Sequence, residues 1–507
     1  MHTLTMRHLR GVSAVGGLLL AGALVGCSND ALLGLNANPN NPTDAPAGPL
    51  FTNATNATVG RFRGATYDFA TTSLFAQHFA QVQYPEGDQY KVRTGNIDGF
   101  FLTPYSSELE DYRKVALKGQ AAKQAGTYGP ALIMKSWVFG ILTDTFGDIP
   151  YSQALIGDSV GTSVTPAYDP QQQVYAGIFA DLTTAAKDLA GATNTLGTAD
   201  AIYGGAPAKW QRFANSMRAR YALREIKADP SGAATQLAAA LNAPGGVFTS
   251  NADNAQLVWP GDGINDNPYA SNLKSRDDNR MSKTLIDTLS AYSDPRLTIY
   301  AQPAASDGKS YVGLQNGLST AAASPFLKTT SRPGAIFYAG ATAYGTFGNA
   351  SNAKTPSYLM TYAEVALIKA EAAERGIAGL TAAQAKGFYE DGIRASMGQW
   401  GVTDATAIAA YIAKTGIVYK GGAEGLRQIA LQKWLALFGE GSEAWAEYRR
   451  TGVPALVKGP AASASVAGVP RRLPYSTQEQ SINAASRAAA VARQGTDDYN
   501  TRVWWDK

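Results

Sequence analysis

A mainly α protein is predicted, built of helical hairpins with one loop-rich half. Three observations predict it. Apolar residues recur at three- and four-residue spacing along much of the chain, as at Ile133, Trp137 and Ile141 or Val174, Ile178 and Leu182. Two such stretches, 356–376 and 381–398, are joined by a short loop, the first rich in Ala and small apolar residues. That is how stacked helical repeats look, although the strict tetratricopeptide consensus is absent. Finally, periodicity fails from Asn242 to about Lys354, where Asn, Asp, Gly, Ser and Pro recur. This stretch keeps Trp259, Tyr269, Tyr292, Tyr300, Tyr311, Phe326, Phe337, Tyr338, Tyr344 and Phe347. Disordered segments are poor in aromatics, so ordered loops are expected there.

Taken in order, the chain opens with basic Arg7, His8 and Arg10, then an apolar run from Gly11 to Val25 that stops at Cys27, the one cysteine. The run is shorter than the ~20 apolar residues of a membrane span, and its order is that of a secretory signal peptide. Leu24-Val25-Gly26-Cys27 resembles a bacterial lipobox, so residues 1–26 are expected to be removed and Cys27 to carry lipid. Residues 27–50, dense in Asn, Pro and Gly, read as a tether, and the folded body is expected over 51–507.

Within that body, 72–84 reads as a helix bearing Leu74, Phe75, Phe79 and Val82, followed by a polar loop, 85–90. A second helix is expected over 106–125, and a third from Pro130, placed at its first turn, to a stop at Gly147 and Pro150. Asp169-Pro170 reads as an N-cap and first position. The helix over 208–226 carries Trp210, Phe213, Ala214, Met217 and Tyr221 on one stripe, with Arg218, Arg220 and Arg224 at polar positions. Helical order returns at Pro356, with Leu359, Tyr362, Ala363, Ala366, Leu367 and Ala370 on a face, and continues over 381–398 and 425–448. Trp210, Trp434 and Trp445 are assigned to the core, and the aromatic tail to Trp505 is expected to pack along the body.

Composition sets further bounds. At 45% hydrophobic and 17% charged, 507 residues can bury a large core. A net charge of +4, which falls by two with the signal peptide, is no footprint for nucleic acid. With Cys27 consumed no intrachain disulfide is available. His78 is the one histidine after cleavage, and it reads as a helix-face residue rather than a base; no phosphate-loop motif occurs. Asp144 and Asp148 could serve glycoside hydrolysis, but capping or bracing a helix-ending turn is the plainer role. Asp262, Asn265, Asp266 and Asn267 could ligate calcium, yet lack EF-hand spacing and read as a turn. Arg449-Arg450 and Arg471-Arg472 read as structural pairs or solvated faces.

Several blocks together resemble the SusD/RagB family of outer-membrane lipoproteins: Asn38-Pro39-Asn40-Asn41-Pro42, the run 142–151, 166–171, Asp294-Pro295-Arg296-Leu297, Tyr362-Ala363-Glu364-Val365, 443–452, Arg471-Arg472-Leu473-Pro474-Tyr475 and Trp504-Trp505. The resemblance implies tetratricopeptide-like hairpins topped by irregular ligand-facing loops, roughly 242–354. It implies a binding protein rather than an enzyme, with no cofactor. Such a protein is held by lipid at the outer membrane facing outward, and captures oligosaccharides or peptides for a SusC-like TonB-dependent barrel. The family's binding residues follow no shared motif. From the residues themselves, sugar rings need flat aromatics and amide or carboxylate partners. Gln83, Tyr84, Asp88, Tyr90, Tyr269 and Tyr292 are therefore the candidate contacts. A surface glycosidase using Asp144 and Asp148, and a ligand-free structural adaptor, are the competing functions.

Overall fold

Helices dominate because so much of the chain repeats its apolar residues at helical spacing. The computed structural model describes residues 45–157, 164–337 and 353–507. The expected signal peptide, Cys27, most of the tether, Tyr338, Tyr344 and Phe347 lie outside the described residues. Ala47–Lys507 forms one compact unit.

The longer helices are α1 (Ala47–Phe62), α2 (Thr94–Ser106), α3 (Glu108–Ala121), α4 (Ala125–Phe146), α5 (Gln171–Asp188), α6 (Pro207–Arg224) and α7 (Pro230–Leu241). They continue as α8 (Lys283–Ala291), α9 (Tyr362–Glu374), α10 (Ala382–Gln399), α11 (Ala405–Ile412), α12 (Gly422–Ala436), α13 (Gly441–Thr451) and α14 (Ala484–Gln494). From α3 to α7 each helix packs on the next, and α9 packs on both α10 and α12, giving the expected stacked hairpins. The α9–α10 hairpin is capped as its sequence dictates. Thr361 accepts from the Glu364 amide at 3.4 Å, and Thr381 forms a capping box with Gln384. The described strands form three antiparallel two-stranded ladders: β1 (Phe79–Gln81) with β5 (Asn279–Met281), β2 (Ile149–Pro150) with β3 (Tyr168–Asp169), and β4 (Ala255–Leu257) with β6 (Ser357–Met360).

The structure corrects several expectations. The stretch 72–84 is not one helix: π-helix Ala65–Thr72 runs into the short helix Ser73–Phe75, then turns into β1, because pairing with β5 overrides helical periodicity. The helix expected over 106–125 is found as Glu108–Ala121, set off from the preceding helix Thr94–Ser106 at Ser107. Pro130 lies inside α4, which begins at Ala125. Likewise Leu359 belongs to β6, and the helix starts after Thr361. Asp169 does not cap α5. It accepts from the Tyr151 and Ser152 amides, while Asp148 accepts from the Gln171 amide at 3.0 Å and takes over the cap. Gly147 ends α4 at φ 86°, where a Cβ would strike the Gln494 side chain.

The arginines of α6 are the largest departure. Arg218, Arg220 and Arg224 are buried, because from Phe213 to Arg224 every residue of α6 is covered. Arg220 pairs with Glu364 of α9 at 2.8 Å, and Arg224 with Asp144 of α4 at 2.5 Å and with Glu443 of α13. Arg450 bridges Glu371 and Glu447, each at 2.6 Å, and Lys433 reaches Glu447 at 3.1 Å. Burial alone would raise the Glu443 carboxyl, but Arg220 and Arg224 overcome that and hold it well below the usual range. Removing one partner of such a pair strands a buried charge, at about 3–5 kcal/mol.

The tryptophans pack as expected. Trp210, Trp434, Trp445 and Trp505 are fully buried, and each indole N–H finds an acceptor: Asp200, the Ala76 carbonyl, the Pro470 carbonyl and Asp144 respectively. The C-terminal tail lies on the body through Leu473 N–H to Thr145 C=O and Tyr475 O–H to Asp148 C=O.

Candidate functional site

The β1–β5 ladder brings two distant stretches together. Its register sets Gln81 opposite Asn279. Above them opens a groove of about 230 Å³. One wall comes from the π-helix, through Thr66 and Thr71, from the loop after β1, through Tyr84, Glu86 and Arg93, and from Asn96 in the first turn of α2. The other comes from Asn272, Arg276, Asp278 and Asn279.

Tyr84 is the exposed aromatic of this groove, at 57% accessible, with a left-handed backbone at φ 50°. The Arg276 guanidinium sits 4.9 Å from its ring centroid and donates from Nε to Asp278 at 2.5 Å. Burial raises the Asp278 carboxyl, and Arg276 pulls it back. Arg93 and Glu86 face each other loosely at 3.7 Å, both solvated. The two cations are thus matched by two carboxylates. What remains for a ligand is a flat ring and a lining of carboxamides and hydroxyls. Asn272 and Asn279 each leave Oδ1 without a protein partner. Such a surface suits an uncharged, hydroxyl-rich molecule that stacks and exchanges hydrogen bonds.

The six expected contacts separate sharply. Tyr84 lines the groove and Gln83 sits half-buried beside it. Burial removes three others. Asp88 accepts from Asn316 Nδ2 at 2.7 Å, from the Gly317 amide at 2.8 Å and from the Gln81 amide at 3.2 Å, so it ties loops together. Its burial pushes the carboxyl up to about 6. Tyr90 packs edge-on against Phe75 at 5.6 Å. Tyr269 stacks on Phe69 at 4.3 Å inside the core. Tyr292 is half-buried against Gly416, away from the groove. Arg276, Asn96, Asn272 and Asn279 went unnoticed in the sequence. The only signal for them is their place in polar, aperiodic stretches.

The other candidates have structural partners. Asp144 accepts from Tyr175 at 2.5 Å, Trp505 at 2.8 Å and Arg224, so no carboxylate oxygen is left for a substrate. Asp148 is used by Gln171 and Arg493. Asp262 accepts from the Ile264 and Asn265 amides, Asp266 from Gly263 and Lys274, and Asn267 caps the helix Pro268–Leu273. His78 is fully buried in a turn rather than on a helix face, and its Nε2–H donates to the Trp434 carbonyl at 3.1 Å. Arg449 lies 3.7 Å from the Trp445 ring centroid, Arg471 pairs with Asp506, and Arg472 pairs with Asp497 at 3.0 Å. No helix among the described residues is long and apolar enough to cross a membrane.

Stacked helical hairpins carrying an open polar groove define a helical-repeat binding protein. The SusD-like family model, described as starch-binding and associating with the outer membrane, matches residues 39–476, and the chain belongs to that family. No curated protein matches it. Among solved structures, a chitin-binding SusD homologue from Flavobacterium johnsoniae is 28% identical, with TM-score 0.76, covering 90% of this chain and 97% of that one. A SusD homologue from Bacteroides uniformis is 25% identical, with TM-score 0.78 and coverage of 92% and 100%. One from Bacteroides vulgatus is 26% identical, with TM-score 0.75 and coverage of 90% and 97%.

Proposed function

We propose that this protein captures oligosaccharides at the outer cell surface and passes them to a SusC-like TonB-dependent barrel. Cys27 would carry the lipid that holds it there. The observation that supports this reading best is the Tyr84 groove, an exposed ring over a charge-balanced, carboxamide-rich floor, in a chain of a family described as starch-binding. Binding rather than turnover is the mechanism. The ring offers a face to sugar C–H groups, while Asn96, Asn272 and Asn279 exchange hydrogen bonds with hydroxyl or acetamido groups. Maltohexaose and chitohexaose are the first ligands to try, the second because a relative is named as chitin-binding.

Calorimetry of the chain with both sugars and with a peptide mixture tests this reading. Glycan binding that Tyr84→Ala lowers about fivefold or more is expected, since losing a stacking ring costs on the order of 1 kcal/mol. Binding of peptides alone would replace the glycan with a peptide ligand. Fatty-acid labelling that survives Cys27→Ser would remove the anchor from the account.

A further inference from the structure

A second pocket, sharing no residue with the Tyr84 groove, lies where the start of α5, the end of α14 and the C-terminal tail meet. It holds about 150 Å³, and its lining includes Asp148, Gln171, Gln172, Arg493, Trp504 and Lys507. Gln171 is 1% exposed. Its amide N–H donates to Asp148 and its Nε2 donates to the Thr143 carbonyl at 2.7 Å, but its Oε1 has no protein partner. A buried acceptor left unmatched is costly, so a donor arriving at this spot is rewarded. Trp504 is only half-buried, with its ring edge-on to Tyr175 at 6.2 Å. Arg493 is anchored to Asp148 at 3.0 Å and to the Tyr168 carbonyl at 2.7 Å, so its charge is balanced.

We propose that this pocket is an auxiliary subsite for one uncharged sugar ring. The indole supplies the stacking face, Gln171 Oε1 takes a hydroxyl or acetamido donor, and the Gln172 carboxamide serves the rim. Its volume is well under the ~300–1,000 Å³ of pockets for drug-sized ligands, which limits the occupant to about one ring. The ligand class rests on the glycan reading of the Tyr84 groove, while the site itself stands on its own residues.

Saturation-transfer NMR of the full chain with chitotetraose and with maltotetraose separates the two sites. In Tyr84→Ala, saturation transfer to at least one probe is expected to persist. Adding Trp504→Ala should take it to background. Gln172→Trp, at an exposed position that plugs the pocket without touching the core, should do the same if Trp504→Ala fails to fold. The proposal is overturned if Tyr84→Ala alone erases all transfer, or if the residual transfer survives both pocket variants. A wild-type chain that shows no transfer to either sugar overturns the glycan class at both sites. Transfer lost only through Tyr84 leaves the groove standing and removes the second pocket alone.

Discussion

The stacked helices and the aperiodic stretch solve the same problem in opposite ways. Helices α4, α6, α9 and α13 satisfy their backbones internally, so their charged side chains are free to cross-link one helix to another through Arg220, Arg224, Glu364 and Glu443. Between 242 and 337 there is little regular ladder, and side chains must serve the backbone instead. Asp262 accepts from the Ile264 and Asn265 amides, Asp307 from Lys309 and Ser310, and Asn267 from Tyr269 and Ala270. The Asn265 amide and its neighbours hold the exposed Asp262 carboxyl down at about 2. The lesson is that Asn and Asp enrichment in this stretch reports backbone bookkeeping first. Only those carboxamides the backbone leaves unused, such as Asn272 and Asn279, remain for a ligand.

The contrast predicts where the molecule breaks. Arg224→Met should be the most damaging change, costing about 3–5 kcal/mol in urea unfolding because it takes from the buried carboxylates of Asp144 and Glu443 the cation they share. A loss no larger than that of Asp262→Asn would erase the distinction between the two regions. Next comes acid sensitivity at His78. Burial lowers its pKa to about 3, with the Trp434 carbonyl pulling it back up. The unfolded chain therefore binds the extra proton between about 6.5 and 3, and stability falls as pH drops through that window, at up to ~1.4 kcal/mol per pH unit. His78→Phe should flatten that limb of a stability-versus-pH curve.

Smaller effects sharpen the comparison. Asp88→Ala removes the bracket to Asn316 and Gly317 and should cost ~1–3 kcal/mol. Hydrogen exchange should speed up at Gln81 and Gly317 while α9 and α10 stay protected. Exchange that quickens equally in the hairpins would show that the loops and helices open as one unit. Smallest, Thr381→Ala should cost about 1 kcal/mol through the lost capping box, read as a shift in the urea midpoint with an unchanged slope.

Sequence reasoning reached the hairpins because their periodicity is written locally, as in Ala363, Leu367 and Ala370 of α9. It lost the strands β1 and β6 because three or four residues carry too little pattern to outweigh a helical stripe on either side. The arginines of α6 misled for a related reason. Polarity at a helical position predicts solvent only when the counter-charges are out of sight, and Asp144, Glu364 and Glu443 come from three separate helices. At the candidate site, Tyr84 was legible as an aromatic in a polar loop. Tyr90 and Tyr269 satisfied the same criterion and are core, since an aromatic in a loop carries no mark of which way it faces.

The short ladder between Gln81 and Asn279 has a consequence for biogenesis. Its two rails are encoded far apart, so the cleft has no second side until the later stretch has been synthesised. A polypeptide halted before Asn279 would present Tyr84 with nothing across from it. The groove is therefore assembled only once the later stretch has been made, a timing fixed by the order of residues along the chain.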